Sequence, residues 1–545
     1  MDTKQYILSP KEAHEAEQKW RVVKRSVDAR QRELKVHLTV LTDDEGKPIN
    51  LSPTLSQGEG EWRRYEPPVF QDVHEAKRSA VIIGCGPAGL FAALTLLEHG
   101  IKPIIYERGK EVSERKKDIA LLNRNEGLNE ESNYCFGEGG AGTFSDGKLF
   151  SRSKKRGNMQ RVMELFHYFG APDTVLYEAH AHIGSDKLPG IIKKMRECIL
   201  EHGGEIHFET CVTSLKDVQR DHVQGTKGIT PIILAIGHSA HDTYRMLAAE
   251  GVAMETKGFA MGVRAEHPQE LINRLMYHLD KTKDLARFGR PPAVLRAERQ
   301  KTASLKDKYN IVQYVGNASY SLVTQVDGRG VYSFCMCPGG HIVPAGSSAG
   351  TCVVNGMSAS HRNSPYANSG MVVQINPEDI PGDDPLKGLE YQEALEREAF
   401  KQVHAQPAPL NPPMKGGRSS APAQRMKDFV EGKASKDLPP CSYLPGIVPS
   451  RLDQWLPAHI GKRLQQGFRD FDRKYPGFLT NEAVIVGVES RSSSAVRIIR
   501  DPETLQSVST PGLYPCGEGA GYAGGITSSA LDGINAALKI ADLAQ

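Results

Sequence analysis

The segment Ala80-Val-Ile-Ile-Gly-Cys-Gly-Pro-Ala-Gly-Leu90 constrains this chain more than any other stretch of it. Four apolar residues suited to a buried strand run into glycines at Gly84, Gly86 and Gly89, and the helix-forming run LFAALTLLEHG follows. In a strand–turn–helix unit that binds a dinucleotide, each glycine has its own mechanical duty. The first permits the tight turn, the second lets backbone approach a pyrophosphate, and the third lets the helix pack on the strand. The helix N-terminus then faces the diphosphate with its positive dipole end. KPIIYE reads as the second strand and ends on Glu107, where a carboxylate accepts ribose hydroxyls and disfavours a 2′-phosphate. The nucleotide set expected here is Gly84, Gly86, Pro87, Ala88, Gly89, Glu107 and Arg108.

The spacing recurs at Gly519, Gly521 and Gly524 in GAGYAG, near Gln545. No second strand and no ribose-binding acid follow it, so it is not expected to form an independent nucleotide unit. Another role has to explain GEGAGYAGGI.

A chain of 545 residues exceeds one compact core, and two or three domains are expected. Lys+Arg of 68 against Asp+Glu of 65 leaves +3 with no long run of either sign, which argues against a nucleic-acid partner. The first twenty residues are charged and lack the apolar core of a signal peptide. The long apolar stretch from Ala80 to Leu97 is broken by glycines and a proline, so no membrane partner is expected. Nine scattered cysteines form neither a paired framework nor C-x-x-C zinc spacing, which points to a reducing cytoplasm and no metal.

Residues 1–72 read as a small α+β unit, with EAHEAEQKWRVVKRSVDARQRE helical and LKVHLTVLT a strand. Leu51 to Pro68 reads as a linker. Residues 73–250 alternate strand and helix as a parallel sheet does: AVIIG, KPIIYE, a helix at Leu188–His202, GEIHFET, PIILAIG and a helix near His241–Glu250. Residues 251–480 break that rhythm. FAMGVRAEH, NIVQYVG, SLVTQV, VYSFCMCP and TCVVNG read as β segments and LEYQEALEREAFKQVHAQ as a helix, together an inserted domain. Residues 481–545 return to strand–loop–helix through AVIVGVESR, GLYPCGE and GITSSALDGINAALKIADLA.

One glycine turn with an acid-ended second strand, plus a near-terminal strand–Gly-Glu–Gly-Gly–helix, resembles FAD-dependent oxidoreductases of the glutathione-reductase superfamily. FGEGGAGTFSDGKL, ILAIGHSAHDTY, FAMGVRAEHP, YSFCMCPGG and VESRSSSAVRIIR narrow the likeness to a group of uncharacterised FAD-dependent dehydrogenases within it. The resemblance runs over nearly the whole chain. It implies FAD as cofactor and an α/β fold: a discontinuous, three-layer Rossmann-like FAD-binding domain, an inserted mainly β (α+β) substrate domain and the small N-terminal α+β domain. It implies that Glu518, beside Gly517, holds the ribityl chain and that Gly524, Gly525 and Ile526 approach the flavin ring. By the same resemblance Gly139, Gly140, Gly142 and Thr143 line the pyrophosphate and flavin, Val212 gives backbone to adenine, and Ala235 and Gly237 close over the nucleotide. Against that group's pattern, Val212 to Pro231 looks short for a β-hairpin excursion.

Several residues invite a chemical role. Cys335 and Cys337 suggest a flavin-coupled thiol pair, although a C-x-C disulfide closes a strained ring. His238, after the AIG strand, is placed as a proton donor. His180 and His182 have metal-like spacing without a second ligand pair. Arg264 and Arg491 suit an anionic substrate, which a guanidinium grips with two bonds. The basic run Ser151–Arg156 reads as a solvated loop. The expected function is an FAD-dependent oxidoreductase, a dehydrogenase or reductase acting on a small molecule, with NAD(P)H visiting transiently. Its rivals are an FAD-dependent tRNA-modifying or nucleic-acid-binding flavoprotein, which the charge balance opposes, and a redox-silent scaffold.

Overall fold

The computed structural model describes residues 2–29, 34–50, 67–150, 157–222, 229–279, 311–404 and 419–542. At the N-terminus, β1 (Asp2–Leu8), β2 (Val22–Asp28) and β3 (Lys35–Thr42) form an antiparallel sheet in the order β1-β3-β2. The helix Pro10–Glu17 packs on it, started by a capping box in which Ser9 and Glu12 satisfy each other's backbone amides. The helical charge pattern therefore stops at Glu17. Val22–Asp28 is a strand, as its β-branched valines favour.

The second unit is mixed α/β. Strands β4 (Ser79–Ile83), β5 (Lys102–Tyr106), β6 (Glu205–His207), β7 (Ile232–Leu234) and β19 (Leu513–Pro515) form a parallel sheet in the order β19-β7-β4-β5-β6. Alternate side chains of a strand leave opposite faces, so a strand covered on both sides must be apolar throughout. That is why β4 reads Ala-Val-Ile-Ile. Ala80 and Ile82 enter a core with the helices Pro87–Glu98, Met159–Tyr168, Leu188–Glu201 and Ile526–Asp542. Val81 and Ile83 enter another with Tyr244, Leu247, Leu389 and Val496. The helix Ile526–Asp542 lies so close along Pro87–Glu98 that a side chain at Gly533 would collide with the Ala88 carbonyl. The last helix is thereby locked to the glycine turn.

The third unit is a seven-stranded sheet of β9 (Phe259–Pro268), β10 (Val323–Val326), β11 (Arg329–Cys337), β14 (Tyr366–Ile375), β15 (Ala421–Arg425), β16 (Ile447–Pro449) and β17 (Val484–Glu489). The order is β10-β11-β14-β9-β17-β15-β16, antiparallel except between β15 and β16. The helix Ala458–Lys474 covers it with Leu464, Phe468 and Phe471. Two short pairs complete the set: β8 (Met254–Thr256) with β18 (Val496–Ile498), and β12 (His341–Pro344) with β13 (Val354–Met357).

Several local expectations are corrected. Strand β17 belongs to the seven-stranded sheet, so the chain returns to the parallel sheet after Glu489 rather than from 481. Its side chains are buried at every position, as a sheet centre requires. NIVQYVG contains a short helix, Ile311–Val315, because a brief apolar run fits either period. The strand in GEIHFET ends at His207, leaving Val212 in an irregular segment, and a helix, Leu215–His222, follows it. Most of the expected linker, residues 51–66, lies outside the described residues, as does the basic run 151–156. Among the described residues no helix is long and apolar enough to cross a membrane.

Candidate functional site

The three glycines of the turn differ in what demands them. Gly84 has φ +105°, and a Cβ there would collide with the Ala235 carbonyl; one at Gly89 would collide with the Gly84 carbonyl. The fold itself excludes side chains at both. Gly86 has ordinary backbone angles, and a Cβ there would meet only the Gly140 Cα, at 3.8 Å. The protein leaves space in front of Gly86 that it does not fill. Gly86 is also the N-cap of Pro87–Glu98 and brings no capping side chain, while Pro87 has no N–H. Among the described residues the amides of Ala88 and Gly89 have no acceptor, which leaves them open at the positive end of the helix.

Gly140 packs directly against Gly86, so a Cβ on Gly140 would come within 3.0 Å of the Gly86 Cα. Its loop is tied to the turn by the Gly139 N–H, which donates to the Cys85 carbonyl at 2.8 Å. Thr143 spends its hydroxyl inside the loop, on the Glu138 carbonyl at 2.9 Å. Arg115, fully buried in the helix Val112–Asn123, holds this loop from beneath. Its guanidinium donates to the carbonyls of Asn133, Tyr134, Gly137 and Glu138 and to the Thr143 hydroxyl. Burial pushes Arg115 down to about 10. Nothing in the sequence marks it, because ERKKD looks like a solvated helix face.

Glu107 is buried, and its carboxylate braces the turn from inside. Oε2 accepts from the Cys85 amide at 2.8 Å, and Oε1 accepts from the amides of Gly109 and Gly137, both at 2.9 Å. A carboxylate offers about four acceptor places. One remains, on Oε2, enough for one ribose hydroxyl. Arg108 is placed differently from the expectation. Its guanidinium is spent on Glu131 and Asp242 and stacks on Phe136 at 4.2 Å.

At the other end, Gly517 donates its amide to Asp532 at 2.8 Å, and Gly519 lies against Gly237. The Tyr244 hydroxyl donates to the Gly519 carbonyl at 2.6 Å. These contacts bring His238 and Glu518 together, Nδ1 to Oε1 at 3.2 Å. Ala235, at the end of β7, is held by its amide on the Ile83 carbonyl at 2.8 Å, whereas Gly237, at φ +70°, has open space where a side chain would stand. Gly524 and Gly525 also face open space at the N-terminus of Ile526–Asp542. Ile526 abuts Gly142, and the Thr527 hydroxyl donates to the Leu149 carbonyl at 2.8 Å. The loop 139–143 therefore bridges the N-termini of two helices. Val212 is half-buried in its irregular segment.

The arginines expected to anchor an anionic substrate are engaged within the protein. Arg264 donates to Asn368, Asn355, Glu489 and the Cys335 carbonyl, fully buried. Arg491 is spent on both oxygens of Glu396 and on Ser347. The His180 ring stands 4.5 Å from that of Phe150, and His182 Nε2 lies 3.0 Å from the Ser360 carbonyl. Among the described residues no group of three or more His, Cys, Asp or Glu could hold a metal ion.

Comparison with known proteins decides the family. A Clostridium beijerinckii protein, described as an uncharacterized protein, is 39% identical over 529 residues, covering 95% of this chain and 91% of that one. The chain belongs to its family. The family model for "FAD-dependent protein, C-terminal domain-like" matches residues 294–492. FAD is the cofactor. Solved structures offer distant likenesses. CtdE in complex with FAD and substrate 4 is 9% identical at TM-score 0.29, covering 86% of this chain and 80% of that one. The halogenase PltM is 11% identical at TM-score 0.31, covering 86% and 69%. Likenesses this distant carry no argument about this chain's chemistry.

Glu138, next to Gly139, makes this region sensitive to pH. It is fully buried; Oε2 accepts from the Val112 amide at 2.7 Å, while Oε1 has no partner among the described residues. Burial raises its carboxyl from 4.5 to about 7, more than Val112 and Arg196 lower it. The folded state therefore binds a proton that the unfolded state releases, and stability falls as pH rises from about 4.5 through about 7. Glu138→Gln should flatten that slope by on the order of 1–3 kcal/mol. Denaturant unfolding at steps across the window checks this; parallel slopes for both proteins would refute it.

Proposed function

We propose that this FAD-dependent protein is an oxidoreductase acting on a small molecule, with its FAD held in a three-layer Rossmann-like domain. The observation that carries the reading is the gap at Gly86, open to a ligand on a helix N-terminus while its neighbours Gly84 and Gly89 are closed by the fold. When bound, FAD supplies a ring that takes up and gives back two electrons.

The chain's own residues supply the rest. The amides of Ala88 and Gly89, with the helix dipole, hold the diphosphate. Glu107 takes a ribose hydroxyl on its remaining acceptor place. Glu518 takes hydroxyls of the ribityl chain, with His238 beside it to hold or pass a proton. The open N-terminus of Ile526–Asp542 faces the ring end, where its amides favour negative charge. The seven-stranded sheet supplies the substrate side. NAD(P)H, as donor, visits transiently, because the parallel sheet's one nucleotide turn is taken by FAD.

The test has two stages. Acid precipitation followed by chromatography of the supernatant should recover FAD; FMN or no flavin would sink the site. Anaerobic titration against a panel of donors and acceptors should then find a pair that reduces and reoxidises the flavin in turnover. Bleaching by dithionite alone, with no donor in the panel effective, would favour a scaffold over an enzyme.

A further inference from the structure

The oxidoreductase reading leaves Cys337 unused, yet its surroundings are unlike those of the other cysteines. Cys337 ends β11 opposite Asn368 on β14, just past a bulge that follows Phe334. The bulge puts Cys335 at φ +44° with its side chain exposed, while Cys337 is turned inward and only 1% exposed. Both thiols are free. Lys148 Nζ lies 3.5 Å from the Cys337 sulfur and Arg264 Nη2 lies 3.6 Å from it. The cross-strand neighbour Asn368 is fully buried and turns its Oδ1 to Arg264, and its Nδ2 has no acceptor among the described residues. Two cationic donors thus converge on one buried sulfur.

We propose that Cys337 is the reactive thiol of this protein, a nucleophile for a small oxidised-sulfur electrophile such as a low-molecular-weight disulfide. Cationic donors favour the thiolate, which is the form that attacks. Among the described residues the Cys337 thiol has one acceptor, the Cys335 carbonyl at 3.3 Å, which it shares with Arg264 Nη2 at 2.8 Å. As a thiolate, it accepts from Lys148 and Arg264. The counter-charges are in place, Asp146 3.3 Å from Lys148 and Glu489 3.0 Å from Arg264. Desolvation works against the Lys148 ammonium, but Cys337 and Asp146 outweigh it and hold Lys148 above its ordinary range.

In the step itself, the thiolate attacks one sulfur of the S–S bond. A new S–S bond forms to Cys337, and the other sulfur leaves as a thiolate carrying the bonding pair. Lys148, whose side chain is 37% exposed, lines the approach and receives that leaving anion. The site adjoins the ring end of the proposed flavin position, because Leu149 is fastened to Thr527.

Exposure and charge predict opposite results, which makes the test sharp. The FAD-loaded protein is treated at neutral pH with methyl methanethiosulfonate, whose methanesulfinate leaves with the bonding pair, and the labelled peptides are weighed over time. Cys337 should react at least ~10-fold faster than the more exposed Cys335, because thiolate content outweighs access for so small a reagent. Lys148→Gln should slow Cys337 by a similar factor and leave Cys335 unchanged, while Lys148→Arg keeps the rate. Flavin content and the Cys335 rate, read in the same samples, show that each variant is folded. Faster labelling of Cys335, or a Cys337 rate indifferent to Lys148→Gln, would overturn the proposal.

Discussion

Gly86→Val is expected to yield a folded protein that no longer retains FAD. The argument rests on which atoms a side chain would meet. At Gly86 the backbone is extended, at φ −80° and ψ −171°, a conformation valine accepts. The nearest protein atom to an added Cβ is the Gly140 Cα at 3.8 Å, ordinary contact. The cost to the apo fold is therefore about that of a poor N-cap, on the order of 1 kcal/mol. The space that the branched side chain does fill is the space before the Ala88 and Gly89 amides. A diphosphate held off those amides loses its hydrogen bonds and the helix dipole, and FAD affinity should fall by about 100-fold or more, ~2.7 kcal/mol. Gly84→Val should behave differently. There a Cβ collides with the Ala235 carbonyl on the neighbouring strand, so the fold itself suffers. Flavin content after gel filtration, read beside the unfolding midpoint, separates the two. Wild-type flavin content in Gly86→Val would mean the diphosphate lies elsewhere.

That contrast shows what the sequence makes legible. The glycine turn, the helix after it and the second strand depend on neighbours within about thirty residues, and their pattern is local. The loop at Gly139–Thr143 is visible only as a glycine run, and its support is not visible at all. Arg115 reads as one charge among several in ERKKD, yet it is the residue on which the loop's carbonyls converge. Strand β14 escapes notice because Asn368, Ser369 and Gly370 interrupt its apolar pattern, although all three are buried in the sheet. Arg264 and Arg491 look like free cations for the same reason. Their carboxylates, Glu489 and Glu396, stand 225 and 95 residues away along the chain, beyond the reach of any spacing rule. The sequence shows which groups carry charge, and only the fold shows which of those charges are already answered.

The Arg491–Glu396 pair carries the second large effect. Both groups are buried, Glu396 at 0% exposure on the helix Lys387–His404 and Arg491 at 8% just after β17. Arg491 donates to Oε1 at 2.9 Å and to Oε2 at 2.7 Å, and the Ser490 hydroxyl adds a bond at 2.6 Å. Burial alone would raise the Glu396 carboxyl, but the guanidinium beside it more than offsets this and holds it below the ordinary carboxylate range. Glu396→Gln keeps the shape and leaves a guanidinium buried without its counter-charge. Such a change costs about 3–5 kcal/mol, because the desolvation of the remaining ion is no longer compensated. The effect has a pH signature. A carboxylate whose folded value is depressed contributes stability that is present above its unfolded value and lost as pH falls through the folded one. The gap between wild type and Glu396→Gln should therefore be full at neutral pH and close in acid, where the wild-type carboxyl also takes a proton. Replacing both residues with apolar ones of similar size should recover part of the loss, since no ion is then left buried. Denaturant unfolding of the three proteins at neutral and acidic pH decides it. A neutral-pH deficit below about 1 kcal/mol would place this pair with weakly contributing surface ion pairs, and an undiminished deficit in acid would remove the charge from the explanation.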